Sequence, residues 1–253
     1  MITVRPGLRA RQIPNALVLV AAITVAVAVA AGCSKTPVPE PPVESRSVEP
    51  VAPTITAPEA VAESRNAMAN LDNFRFELTH DSGFTSLSGG LELIRAEGLV
   101  TQKGLDLEAE AKLGRAFVRV EAVVIDDRTW MTNPLTGAWS EIPPEDSPFS
   151  FLDPVKLVAD ILGDTREATY YEKPRADADL TITGRIPATT LAALVGTVDP
   201  DAVPAVTLTL SAGTYLLKKI VVVGVTQPDD DENTTRVISL SEFDNPVSLK
   251  PPI

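Results

Sequence analysis

Leu105-Asp106-Leu107-Glu108-Ala109-Glu110-Ala111-Lys112-Leu113 places an apolar residue at every odd position and a charged one at every even position. A period of two marks a strand with one buried face and one wetted face, because successive side chains of an extended chain point to opposite sides. In a helix the same order would scatter the charges around the whole circumference. The pattern continues outward on both sides. Upstream, Phe74, Phe76 and Leu78 alternate with Arg75, Glu77 and Thr79, and Leu91 and Leu93 repeat the signal. Downstream, Val118, Val120, Ala122 and Val124 alternate with Arg119 and Glu121. Gly83, Gly89-Gly90, Gly98, Gly104 and Gly114 punctuate these runs as turns or bulges. The region reads as an antiparallel meander.

Helical signals flank it. A first helix begins at Pro58, a residue that needs no amide donor in the first turn, and carries Val61, Met68 and Leu71 on one face. Asn133-Pro134-Leu135-Thr136-Gly137 makes a turn between Trp130 and Trp139. Asp153 caps a second helix with Pro154 at its first position, and Gly163 is expected to stop it. Leu157, Val158, Ile161 and Leu162 form the apolar stripe of that helix. A strand at Leu180 and Ile182 and a short helix from Pro187 to Val195, ended by Gly196, follow. Three more strands close the chain, at Val206 to Leu210, Leu216 to Val225 and Arg236 to Leu240. Strands followed by helices and further strands imply an α+β fold, with one curved antiparallel sheet and helices covering one face.

The N-terminus reads differently. Arg5, Arg9 and Arg11 precede an apolar stretch from Ala16 to Ala31, and Val29-Ala30-Ala31-Gly32-Cys33 ends it. This is the build of a bacterial export signal, and the small-small-Gly-Cys ending resembles a lipobox, in which the cysteine is diacylated and becomes the mature N-terminus. Two acyl chains suffice for stable anchoring, at about 0.8 kcal/mol per buried methylene. Plain secretion and an uncleaved anchor remain as alternatives, although Gly32 and the prolines after it end the apolar run short of the ~20 residues a span needs. Cys33 is the one cysteine of the chain, so no intramolecular disulfide forms. Residues 1–32 are thus read as the signal, 33–57 as the lipidated cysteine and a Pro-rich tether, and 58–253 as one domain.

Charge and composition narrow the function. The formal charge of -12 becomes -15 once the three arginines leave with the signal. Such a surface repels phosphate backbones, so nucleic acid is not an expected partner. It also disfavours an overall grip on anionic lipid headgroups, leaving the acyl anchor as the membrane attachment. Aromatic residues make up only 5% of the chain, so the interior must be aliphatic. His80 is the single histidine and falls at the end of a strand, so neither a conventional Ser-His-Asp triad nor a histidine metal site is expected. No phosphate loop or nucleophile elbow occurs. Glu141 and Glu145 could pose as a glycosidase pair but sit in a Pro-rich stretch that favours solvated carboxylates. Asp229, Asp230, Asp231 and Glu232 lack the ligand spacing of a calcium loop and read as a solvated hairpin tip. No cofactor, metal or catalytic residue is expected.

Phe74-Arg75-Phe76, Val124-Ile125-Asp126-Asp127 leading to Trp130, and Asn133-Pro134 before Trp139 together resemble the LppX/LprA/LprF/LprG lipoprotein family. So do Asp153-Pro154, Gly184, and Thr235-Arg236 to Leu240-Ser241-Glu242-Phe243 with Pro246-Val247. The resemblance runs from Pro58 to the end of the chain. It implies a half-barrel similar to the LolA and LolB carriers, with a hydrophobic cavity between sheet and helices. It also implies binding of acylated lipids or lipoglycans and their transport within the envelope, on the extracytoplasmic face of the cell membrane. An envelope transporter is the partner class to consider. The strand and helix periods nominate Phe76, Leu93, Leu107, Val120, Leu157 and Ile161 as residues facing a common apolar space. From the residues alone a packed core is the default for such a space, which would leave a lipid-anchored interaction or structural module with no ligand cavity, and it is the resemblance that favours a cavity.

Overall fold

The computed structural model describes residues 55–126, 128–143 and 152–253. Cys33, the signal segment, almost all of the Pro-rich stretch and Glu145 lie outside the described residues. Helix α1 (Ala57–Ala69) starts one residue before the expected Pro58 and is fixed by a capping box. Thr56 accepts from the Glu59 amide, and the Glu59 carboxylate accepts from the Thr56 amide at 2.8 Å. Val61 and Met68 face inward as their spacing requires.

The meander follows as β1 (Asn73–Ser82), β2 (Thr85–Leu87), β3 (Leu91–Thr101), β4 (Gly104–Leu113), β5 (Ala116–Ile125), β6 (Arg128–Thr132) and β7 (Trp139–Ile142). Helix α2 (Pro154–Asp164) starts where Asp153 caps it, its Oδ1 accepting the Lys156 amide at 2.9 Å. It runs through Gly163 instead of stopping there. Thr165 ends it, with Oγ1 donating to the Ile161 carbonyl. The remainder is β8 (Arg166–Tyr170), β9 (Leu180–Arg185), a 3-10 turn at Ala188–Leu191 leading into α3 (Ala192–Val195), β10 (Ala205–Leu210), β11 (Leu217–Val223) and β12 (Thr235–Ser241).

The twelve strands among the described residues belong to one sheet, in the order β7-β6-β5-β4-β3-β1-β12-β11-β10-β9-β8, with β2 paired to β3. Neighbours run antiparallel. The last strand of the chain is inserted beside the first, with Phe76 opposite Leu240 and Leu78 opposite Ile238. This pairing joins an N-terminal meander to a C-terminal one, and the helices pack against the shared face. The result is the curved antiparallel sheet with helices on one face that the sequence pattern implies, and the half-barrel that the family resemblance implies.

One rung of the sheet depends on a missing side chain. A Cβ on Gly98 would lie 2.1 Å from the Asp106 carbonyl oxygen and 2.9 Å from the Phe76 ring. Only glycine lets β3 and β4 approach this closely at that rung while Phe76 lies across them. The core on the concave face includes Leu78, Leu107, Ile161, Ile182, Leu208, Leu217 and Ile220, all essentially without solvent contact. On the opposite face, Leu99, Val123 and Trp130 are buried as well, and the Arg128 guanidinium covers the Trp130 ring at 4.5 Å.

Candidate functional site

Across the sheet, one rung on the concave face runs Phe74, Val100, Leu105, Val124 and Thr129. Above it the C-terminal turn of α1 and the N-terminal half of α2 do not close onto the strands. A cavity of about 1230 Å³ lies between them, open to solvent at its rim. Its floor is apolar, built from Met68, Leu71, Phe74, Val100, Leu105 and Val124, with Leu152 and Val158 from the α2 side. The rim is polar and carries both signs of charge, from Arg65, Asp72, Lys103, Asp126, Asp153 and Lys156.

Several rim groups are already engaged. Asp153 caps α2 and Lys156 is paired with Asp160 one turn on. Gln102 donates to the Leu71 carbonyl at 3.1 Å, tying the β3–β4 turn to the end of α1. The Asp72 amide donates to Asp244 Oδ1 at 2.7 Å. Asn73 is different. It lines the cavity, is 91% buried, and its Oδ1 has no hydrogen-bond partner. A buried amide oxygen left without a donor costs about 1–3 kcal/mol.

The six residues selected by period are buried, but none lines this cavity. Phe76, Leu93, Leu107, Leu157 and Ile161 belong to the packed core, while Val120 is buried outside that cluster. The reason is depth and not face. Phe76 and Leu107 occupy the rung next to the cavity rung, and Val120 lies two rungs from Val124. Alternation fixes which side of a strand faces inward. It does not say how far along the strand the helices cease to cover it.

A second cluster lies towards the other end of β1. Arg236 is fully buried yet satisfied throughout. Its Nε donates to Thr85 Oγ1 at 2.9 Å, and its two terminal nitrogens reach Thr226 Oγ1, the Phe84 carbonyl, Gln227 Oε1 and both oxygens of Asp230 at 2.7–3.0 Å. Asp230 is therefore not part of a solvated tip, because its side chain is only 5% exposed. Burial pushes its carboxyl up, but hydrogen bonds from Arg236, Thr226 and the Gln227 amide hold it below the ordinary range overall. His80 Nδ1 is 2.8 Å from the Ile94 carbonyl and must donate to it. Nε2 is then left to accept from Thr85 Oγ1 at 3.0 Å.

A histidine on a hydroxyl has the outline of an activated nucleophile. Thr85, however, has no solvent exposure and its oxygen already accepts from Arg236, so no substrate reaches it. The cluster is a clip that fastens the β11–β12 hairpin to the β1–β2 loop. Glu141 is engaged by Arg128 at 2.7 Å, which lowers its pKa. Among the described residues no group of three or more His, Cys, Asp or Glu side chains could hold a metal, and no helix is long and apolar enough to cross a membrane.

The family model for LppX_LprAFG lipoproteins matches residues 56–249, the whole span that builds sheet, helices and cavity. The chain belongs to the LppX_LprAFG lipoprotein family. Two solved members share its fold. LprF from Mycobacterium bovis is 17% identical with a TM-score of 0.57, over 80% of this chain and 99% of that one. LppX from Mycobacterium tuberculosis is 16% identical with a TM-score of 0.53, over 77% of this chain and 98% of that one. A search of curated proteins by sequence returned no match. At these identities the likeness speaks for the LppX_LprAFG half-barrel and not for a particular ligand.

Proposed function

We propose that this LppX_LprAFG lipoprotein holds an acylated lipid or lipoglycan in the cavity floored by Phe74, Val100, Leu105 and Val124. Anchored through Cys33 on the extracytoplasmic face of the cell membrane, it carries that lipid within the envelope. The observation that carries this reading is the cavity itself. At about 1230 Å³ it exceeds the ~300–1,000 Å³ usual for small-molecule sites. Its aliphatic floor suits acyl chains, whose binding is non-directional and scales with buried area. The charged rim suits a polar headgroup at the mouth. An open space of this size also counts against a module whose sheet and helices close dry upon each other.

Native mass spectrometry of the purified full-length protein tests the reading. A bound mass that fragments to fatty acyl groups is the expected result. Protein that leaves its native membrane extract with no lipid, and takes up none from detergent-solubilised envelope lipid, refutes it.

A further inference from the structure

The strongly acidic net charge conceals a local exception at the end of one hairpin. From Ala111 to Val120 the chain contains Lys112, Arg115 and Arg119 and no carboxylate. This decapeptide is the tip of the β4–β5 hairpin, where Leu113 pairs with Ala116. Two apolar side chains project from the same tip, Phe117 at 75% exposure and Leu113 at 48%. They lie on opposite faces of the ribbon, because Leu113 continues the inward series of Leu107 and Ala111 while Phe117 stands opposite Lys112 on the outer face. Lys112 Nζ lies 5.3 Å from the centre of the Phe117 ring. Arg119 is paired with Glu108, and Glu92 sits across from Lys112 on β3. Lys112 and Arg115 make no ion pair with any described residue.

Single exposed apolar residues are ordinary on a protein surface. An exposed Phe and Leu on one hairpin tip, ringed by cations, on an otherwise acidic protein are a different matter. We infer that this tip is a docking wedge for an anionic lipid surface, with Phe117 and Leu113 entering the headgroup layer and Lys112 and Arg115 meeting lipid phosphates. A chain of charge -15 once the signal is removed is repelled overall by an anionic bilayer, and approach tip-first presents cations in place of carboxylates. Two cations and two apolar side chains give weak binding by themselves. On a protein already tethered to the membrane, the second contact is intramolecular and a weak site suffices. From Ser34 to Thr54 the chain reaches on the order of 65 Å when extended, at ~3.1 Å per residue, so either end of the sheet can turn to the surface. Leu113 stands eight residues along β4 from the cavity residue Leu105, about 26 Å at ~3.3 Å per residue. Tip-first docking therefore holds the cavity mouth clear of the bilayer. The inference is independent of what fills the cavity.

The test uses the full-length protein carrying Phe117→Trp, mixed with vesicles of phosphatidylcholine alone or of phosphatidylcholine with phosphatidylglycerol, each with and without brominated acyl chains. The emission added to that of Trp130 and Trp139 should shift to the blue and be quenched several-fold more in the phosphatidylglycerol vesicles. Lys112→Glu with Arg115→Glu in the same background should abolish the difference with the melting temperature unchanged, since both side chains project from the tip. Flotation reports attachment separately from quenching. Equal quenching in both vesicle types, no quenching in either, or protein that neither floats nor is quenched with phosphatidylglycerol overturns the inference. A tip that resists quenching but cross-links to an acidic envelope protein would make it a protein-docking site instead.

Discussion

Replacing valine by tryptophan at two positions of one strand separates a cavity from a packed core. Val120 and Val124 both lie on β5 with side chains on the concave face, two rungs apart. Val120 is 6% exposed and has Ala109 and then Ala96 beside it on the same rung. Val124 is half-buried and borders about 1230 Å³ of open space. An indole at Val120 has nowhere to go without displacing neighbours, and overpacking of this kind costs about 1–3 kcal/mol. At roughly 2–4 °C per kcal/mol for a domain of this size, the melting temperature should fall by about 2–12 °C. At Val124 the same indole enters the cavity, so the melting temperature should stay within about 2 °C of the parent. It would, however, occupy the floor on which acyl chains are proposed to lie. The assays are thermal denaturation and native mass spectrometry for acyl lipid. The expected pair of results is lost lipid with near-parental stability for Val124→Trp, and lost stability for Val120→Trp. If Val124→Trp destabilises as much as Val120→Trp, the space is not a cavity in solution. If it keeps its full complement of lipid, the ligand does not lie there.

Three further outcomes follow from the clip and the anchor. Arg236→Met should cost about 3–5 kcal/mol in chemical denaturation, because it leaves the buried carboxylate of Asp230 without its charged partner; a loss below about 1 kcal/mol would show that the clip is dispensable. His80 is held below its ordinary value of 6.5, first by burial, with Arg236 repelling the imidazolium and the Ile94 carbonyl and Asp230 acting the other way. The unfolded chain therefore binds the proton first as pH falls, and stability should decline from about pH 6.5 downward, with a second decline below about pH 4 as Asp230 protonates. As the chain has one histidine, His80→Gln should flatten the upper window, and a parent profile flat between pH 7 and 5 would refute the argument. Cys33→Ala should shift exported protein from the membrane fraction to the soluble fraction, and unchanged retention would exclude the acyl anchor as the attachment.

Most of the architecture was legible because it follows from period and punctuation. The strict alternation from Leu105 to Leu113 gives β4, and Asp153-Pro154 gives the start of α2. Two things were not legible. Strand β8 reads Arg-Glu-Ala-Thr-Tyr, with no apolar alternation, because it is an edge strand that buries little and is held by backbone pairing to β9. The insertion of β12 beside β1 depends on contacts about 160 residues apart, which no local pattern encodes. The clip was hidden for a similar reason. Arg236 reads as an ordinary first residue of a strand and Asp230 as one of four acidic loop residues. Only their meeting under Thr85 and Gln227 distinguishes them from solvated charges.

The cavity shows the same limit at finer scale. The concave face was identified by alternation, and the four strand residues nominated for it do point that way. What alternation lacks is a coordinate along the strand. That coordinate is set by where α1 ends and where α2 begins. Leu71 follows the last turn of α1, Asp153 precedes the first turn of α2, and both border the opening. The helices overlap the sheet at the rung of Phe76 and Leu107, where Gly98 draws the strands together, and part from it at the rung of Phe74 and Val124. Floor and lid are thus built from the same aliphatic residues as the core beneath them, and composition cannot tell one from the other. The sequence signal that could have located the mouth is the density of polar residues at the helix ends and turns, in Asp72-Asn73, Thr101-Gln102-Lys103 and Asp153. Helix ends need caps and turns need polar residues. Here the same residues also edge an apolar space, and it is that juxtaposition that makes the site fit an amphipathic lipid.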